Sequence, residues 1–122
     1  MFDHVGFRIG NLEASRKFYL AALAPLGFGV AMEKGGGVGL GRGGKPELRL
    51  SRGGPPASPL HIAFVARNRA EVDAFHAAAL AAGGQDNGAP GLRRHHHPNY
   101  YGAFAIDPDG HNIEAVCHSA AP

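Results

Sequence analysis

The sequence predicts an α+β fold made of two βαβββ modules, and three observations carry that prediction. Shifted by 57 residues, positions 4–27 overlie positions 61–84 without a gap and match at nine of 24 places, among them His4/His61, Phe7/Phe64, Asn11/Asn68 and Phe18/Phe75. Each copy opens on alternating apolar residues, the mark of a half-buried strand, and runs on into an apolar stripe of helical spacing. Each is then followed by further short strand-like segments.

In the first copy Val5, Phe7 and Ile9 alternate with His4, Gly6 and Arg8. Asn11 suits a helix N-cap, and Ser15, Phe18, Tyr19, Ala22, Leu23 and Leu26 fall on one helical face before Gly27 ends it. Strands are expected at 28–33, 37–42 and 46–52. In the second copy Ile62, Phe64 and Ala66 alternate with His61, Ala63 and Val65. Asn68 with Glu71 resembles a capping box, and Val72, Phe75, His76, Ala79 and Leu80 form the helix face up to Gly83-Gly84. Strands follow at about 85–92, 101–106 and 112–118, the last two joined by the turn Asp107-Pro108-Asp109-Gly110. One domain over 1–122 is expected, with module one at about 1–54, a junction at about 53–59 and module two at about 60–118.

Composition bounds the function. An apolar fraction of 44% and a net charge of +2 describe a chain that can fold and is no polyelectrolyte. Glycine (19) and proline (9) are abundant, and they crowd residues 27–59, where sharp turns are needed. The single cysteine, Cys117, excludes an internal disulfide. No apolar run approaches the roughly 20 residues of a membrane span, and the N-terminus lacks a signal-like pattern, so a cytoplasmic protein is expected. The short basic cluster has no basic stripe elsewhere to support it, so neither nucleic acid nor membrane is an expected partner.

Strand parity selects three candidate ligands. If Val5, Phe7 and Ile9 face a helix, His4 faces the opposite, concave surface, and the same argument sends His61 there in the second module. In the last strand Ile113, Ala115 and Cys117 suit the helix side, so Glu114 points with the two histidines. Two imidazoles and one carboxylate suit zinc, iron(II), manganese, cobalt or nickel and leave positions open for substrate or water.

The opening His4-Val5-Gly6-Phe7…Ser15-Arg16-Lys17-Phe18-Tyr19, the second opening His61-Ile62-Ala63-Phe64 and the ending Asp107-Pro108-Asp109-Gly110-His111-Asn112-Ile113-Glu114 resemble the vicinal oxygen chelate superfamily. This is the group of glyoxalases, bleomycin-resistance proteins and extradiol dioxygenases. The resemblance implies paired modules forming a curved mixed sheet around a concave site, with helices on the outer face. It implies metal ligands at His4, His61 and Glu114, and commonly a homodimer. The glyoxalase I branch has a fourth ligand, a glutamate in the last strand of the first module. Here that strand reads Lys45-Pro46-Glu47-Leu48-Arg49-Leu50. Aligning Leu48-Arg49-Leu50 with Ile113-Glu114-Ala115 puts arginine at the ligand position and matches the apolar flanks better; aligning Pro46-Glu47-Leu48 restores a glutamate. Arg49 would bind an anionic substrate group rather than a cation.

A second concentration of polar chemistry is Arg93-Arg94-His95-His96-His97-Pro98-Asn99-Tyr100-Tyr101. It is either a solvated loop or a rim over the metal. In the second case His97 or Tyr101 is the acid/base group and Arg93 and Arg94 are substrate contacts. Gly35 to Gly44 is a poor phosphate loop, since it lacks the P-loop lysine pattern and leads into no helix. His76 and Cys117 read as packing residues. The expected function is a glyoxalase-like lyase or isomerase. It uses a divalent metal (zinc, nickel, manganese or iron(II)) to chelate a small oxygenated substrate, free or thiol-conjugated. An iron(II) extradiol-type dioxygenase and a non-catalytic, antibiotic-binding protein are the alternatives.

Overall fold

The strand, helix and turn signals along the chain are realised in order. The computed structural model describes residues 2–55 and 58–120, so 56 and 57 of the expected junction lie outside it. Module one runs β1 (Val5–Ile9), α1 (Leu12–Leu23), a 3₁₀ turn (Ala24–Leu26), β2 (Gly29–Lys34), β3 (Gly37–Gly41) and β4 (Leu48–Arg52). Module two runs β5 (His61–Val65), α2 (Arg69–Ala81), β6 (Gln85–Leu92), β7 (Tyr101–Ile106) and β8 (Asn112–Cys117). The strands form two four-stranded mixed sheets of one topology, β1-β4-β3-β2 and β5-β8-β7-β6. In each, the first strand lies parallel to the last and the rest are antiparallel.

Local chemistry sets the helix boundaries. Asn11 accepts from the Ala14 N–H and Asn68 from the Glu71 N–H, which caps both helices. Glu71 reaches back to the Arg67 N–H, one residue before the expected capping-box partner. Past α1 and its 3₁₀ turn, Gly27 takes the left-handed conformation (φ 90°) that a branched Cβ would resist, and the chain leaves for β2.

Period-two alternation sorts the sheets into two faces. Leu48 and Leu50 are buried while Arg49 is exposed, and Ile113, Ala115 and Cys117 are buried on β8. The apolar faces meet α1 and α2, which also pack on each other. Phe18, Tyr19, Leu23 and Phe75 are fully buried there, as the helical spacing predicts. His76 lies at the edge of this layer and bonds Asp86, and Cys117 is buried. No helix among the described residues is long and apolar enough to cross a membrane.

The modules are tied by the turn before β8. Asp107 Oδ2 accepts from the Tyr19 hydroxyl at 2.5 Å and Asp109 from the Gly10 N–H, while within module two His111 Nδ1 accepts from the Leu60 N–H at 2.8 Å and fixes the turn to the start of β5. The turn therefore clamps the start of β8, and with it Glu114, against the first module.

Candidate active site

On the face of the second sheet turned away from α2, Glu114 is 1% exposed and both its oxygens are engaged. Oε1 lies 2.9 Å from His61 Nε2, and the carboxylate acceptor assigns the ring proton to that nitrogen. Oε2 accepts from the Tyr100 hydroxyl. Parity produces the pair, because Ala63 is the cross-strand partner of Glu114 and His61 lies two residues back on the same face of β5. Gly102 provides the room. A Cβ there would stand 3.2 Å from both Glu114 Oε2 and the Tyr100 ring, so only glycine lets the phenol reach the carboxylate without displacement. Partial burial, and then the adjoining Glu114 carboxylate, push the Tyr100 phenol up to about 12, so it remains a hydrogen-bond donor at neutral pH.

Tyr100 is the residue that sequence reasoning passed over in favour of its neighbour. Tyr101 pairs with Cys117 and so lies on the helix side, where its hydroxyl donates to Asp73 on α2 at 2.6 Å. The residue before it falls on the other face. The register separates the two, with Tyr101, Ala103 and Ala105 on the helix side and Gly102 and Phe104 on the other.

His4 stands elsewhere. It is exposed, its Nδ1 lies 2.8 Å from Asp3 Oδ1, and it lines two cavities, of about 300 and 560 Å³, that neither His61 nor Glu114 lines. Asp3, which also accepts from Lys45, is held at about 2 by these two hydrogen bonds, the His4 bond first. The register of the first sheet decides between Arg49 and Glu47. Gly6 pairs with Arg49 as Ala63 pairs with Glu114, so Arg49 holds the place symmetric to Glu114. Glu47 accepts from the Arg42 N–H and borders the smaller cavity with His4.

The 93–100 loop is closed by the Arg93 N–H on the Tyr100 carbonyl. Arg93 is half-buried, its guanidinium on the Gly91 and Ala89 carbonyls and 5.4 Å from the Phe104 ring centroid on the Glu114 side. Arg94 is exposed. His97 is exposed, its Nδ1 accepts from the Asn99 N–H, and its ring stands edge-on to His118 at 5.5 Å.

Among the described residues one group of three metal-capable side chains lies within 4.8 Å: Asp107, Asp109 and His111. Its acceptors are already spent on the clamp. Asp107 Oδ1 receives the Asp109 and His111 N–H groups and Oδ2 the Tyr19 hydroxyl. Since His111 Nδ1 accepts from Leu60, its Nε2 keeps the proton and offers no lone pair to a cation. That buried Nε2 has no hydrogen-bond partner, and its ring packs edge-on to Phe7 at 5.0 Å.

Two βαβββ modules of one topology, the second carrying a buried carboxylate bonded to an imidazole, set the architecture of this chain. The chain belongs to the Glyoxalase/Bleomycin resistance protein/Dioxygenase superfamily, whose family model matches residues 1–115. It is similar to a glyoxalase/bleomycin resistance protein from Albidiferax ferrireducens T118, with 32% identity over 98% of this chain and 99% of that one and a TM-score of 0.83. It shares its fold with lactoylglutathione lyase from Agrobacterium tumefaciens (20% identity, 96% and 92% covered, TM-score 0.68). It also shares it with the fosfomycin resistance protein FosX from Mesorhizobium loti (16% identity, 98% and 93% covered, TM-score 0.73). No curated protein matches it in sequence.

Proposed function

We propose that the chain is a metal-dependent lyase or isomerase of the glyoxalase kind, acting as a homodimer on a small substrate that presents two neighbouring oxygens. The buried Glu114 carboxylate, bonded to His61 at 2.9 Å, is the observation that carries this reading. Two ligands each about 2.0–2.2 Å from one ion and at right angles to each other stand about 3 Å apart, so this nitrogen–oxygen pair fits a divalent cation that takes the place of the His61 Nε2 proton between them, whereas the His111 Nε2 proton has no such carboxylate beside it. His4 would be the third ligand. Because His4 lines cavities that His61 and Glu114 do not, the three would meet when β1 of a second copy lies against β5 and β8 of the first. The exposed apolar side chains of Phe2 and Val65 support a covering partner.

A bound divalent ion would supply Lewis acidity that draws charge from the substrate oxygens and eases removal of a neighbouring proton. Tyr100 fixes the orientation of Glu114 and, staying protonated, remains its hydrogen-bond donor. His97, exposed on the 93–100 loop, is the imidazole to which this reading gives the proton transfer between substrate and solvent. Tyr101, bound to Asp73, positions β7 on α2. Arg94, exposed on the same loop, is the substrate contact of this reading, Arg93 is held on the Gly91 and Ala89 carbonyls, and Arg49 brings a cation to the second copy's contribution.

Titration of chelator-treated protein with zinc, nickel, manganese and iron(II) tests the reading. One ion per chain is expected in the wild type, with a rise in Tm, and neither in His61→Ala or Glu114→Gln. A wild type that takes up none of these ions sinks the metal reading and leaves a sequestering protein. Dioxygen consumption with a catechol, confined to the iron(II) form, would instead mark an extradiol dioxygenase.

A further inference from the structure

We propose that the open face of the first sheet is a binding site for a small oxyanion, a carboxylate, phosphonate or phosphate group, with Arg49 as its main contact and Lys34 and Arg8 beside it. This rests on the metal reading above only in assigning that anion to the substrate. The site itself stands on separate observations.

Arg8 from β1, Lys34 from β2 and Arg49 from β4 line one open cavity of about 560 Å³, together with His4 and Ser51, and no aspartate or glutamate lines it. Strand register puts them on a common face: Gly6 pairs with Arg49, Arg8 with Ser51, Ser51 with Gly37, and Gly37 with Lys34. Of the nine other cations, Lys17, Arg52 and Arg94 are exposed and line no part of this cavity, and the remaining six are occupied. Arg16, Lys45 and Arg67 pair with Glu33, Asp3 and Glu71, and Arg42, Arg69 and Arg93 sit on backbone carbonyls. Among the described residues Arg8, Lys34 and Arg49 have no acceptor within hydrogen-bond distance, although they share a hollow. Three like charges round one cavity repel, and an anion between them turns that repulsion into attraction. A guanidinium presents two parallel N–H groups to a carboxylate or phosphoryl group, the ammonium adds a point charge, and Ser51 adds a hydroxyl. Gly35 and Gly36, at the tip of the β2–β3 hairpin, hang no side chain over the opening. His4 lines the same cavity, so an anion on Arg49 lies on the face that would carry the third metal ligand.

Binding of inorganic phosphate and of malonate to chelator-treated protein, followed by calorimetry and amide shifts, tests the site without any metal. Arg49→Gln is expected to weaken both probes about tenfold, the loss of one bidentate charged contact, while Arg49→Lys falls between. Lys34→Gln should weaken them less, and Lys17→Gln, on exposed helix surface, not at all. Shifts should centre on Gly6, Gly37 and Ser51. Tighter phosphate marks a phosphoryl or phosphonyl substrate and tighter malonate a carboxylate. An Arg49→Gln protein that binds both probes as the wild type does, or shifts centred elsewhere, would overturn the proposal. Anion binding without metal uptake at His61 and Glu114 would keep this site and remove the metal reading instead.

Discussion

Arg49 and Glu114 hold the same place in the two sheets with opposite charge: Arg49 pairs with Gly6 across β1–β4, and Glu114 with Ala63, the residue that Gly6 overlies in the repeat, across β5–β8. The duplication has kept the histidine at the head of each first strand and set a cation in one sheet against a carboxylate in the other on the strand beside it. The two half-sites are therefore complementary rather than equivalent. One suits a cation and the other an anion.

Arg49→Glu would make the half-sites alike. In a dimer that joins β1 and β4 of one copy to β5 and β8 of another, the change removes a repelling cation and adds a carboxylate ligand. Affinity for zinc or nickel should rise by at least about tenfold, and phosphate binding should vanish. Calorimetric titration of both proteins measures this. An unchanged metal affinity would mean that Arg49 does not approach the ion and that the copies are not joined in this way.

Tyr100→Phe and Tyr101→Phe separate the two neighbours. Loss of the Tyr100 hydroxyl frees one Glu114 oxygen and should lower metal affinity about 10–100-fold, as losing a partner of a metal-bound carboxylate does. Loss of the Tyr101 hydroxyl breaks the bond to Asp73 and should cost about 1 kcal/mol of stability with metal affinity unchanged. Equal metal affinity in the two variants would remove Tyr100 from the site.

What the sequence made legible was what repeats or alternates. The 57-residue repeat predicted two like modules, and alternation predicted the faces of His4, His61 and Glu114 and the burial of Phe18, Tyr19 and Phe75. The apolar flanks of Arg49 pointed to the observed register. Tyr100 was missed because it precedes β7 at the end of an irregular loop, where parity has no fixed origin until the strand's first pair, Tyr101 with Cys117, is known. The clamp was missed for another reason. Tyr19–Asp107, Gly10–Asp109 and Leu60–His111 join residues 88, 99 and 51 positions apart, and no local pattern encodes such pairs. Nor could strand parity, which assigns residues to faces within one sheet, tell that His4 and the His61–Glu114 pair border different spaces.

Asp107→Ala tests whether the Asp107–Asp109–His111 group is a clamp or a cation site. It strips the acceptor from two N–H groups and the buried Tyr19 hydroxyl, and should cost about 3 kcal/mol in chemical denaturation. A structural clamp also predicts that divalent ions leave the Tm of a His61→Ala/Glu114→Gln protein unmoved. Stabilisation of that variant by zinc or calcium would show that the group binds cations after all.

Tyr19 should make the fold sensitive to alkali. Its phenol is held far above the ordinary tyrosine range, first by burial, then by the charge of Asp107 and the hydrogen bond to it, and by Asp109. Below pH 10 the phenol is neutral in both folded and unfolded chains, and its full contribution is present. Above pH 10 the unfolded chain releases a proton that the folded chain retains, so the unfolded state gains and stability falls by about 1.4 kcal/mol per pH unit from this group alone. Tyr19→Phe should be less stable at pH 7 by about 1–3 kcal/mol, because a buried Asp107 oxygen loses its donor. Its stability should nevertheless decline less steeply above pH 10, and the gap between the two proteins should narrow by about 1.4 kcal/mol between pH 8 and pH 11, about 1 kcal/mol of it between pH 10 and 11. The remaining tyrosines titrate in both proteins, so urea denaturation at pH 8, 10 and 11 isolates the Tyr19 share as the difference in slope. Parallel declines would mean that Tyr19 ionises as readily in the folded chain as in the unfolded one, and that burial does not hold its proton.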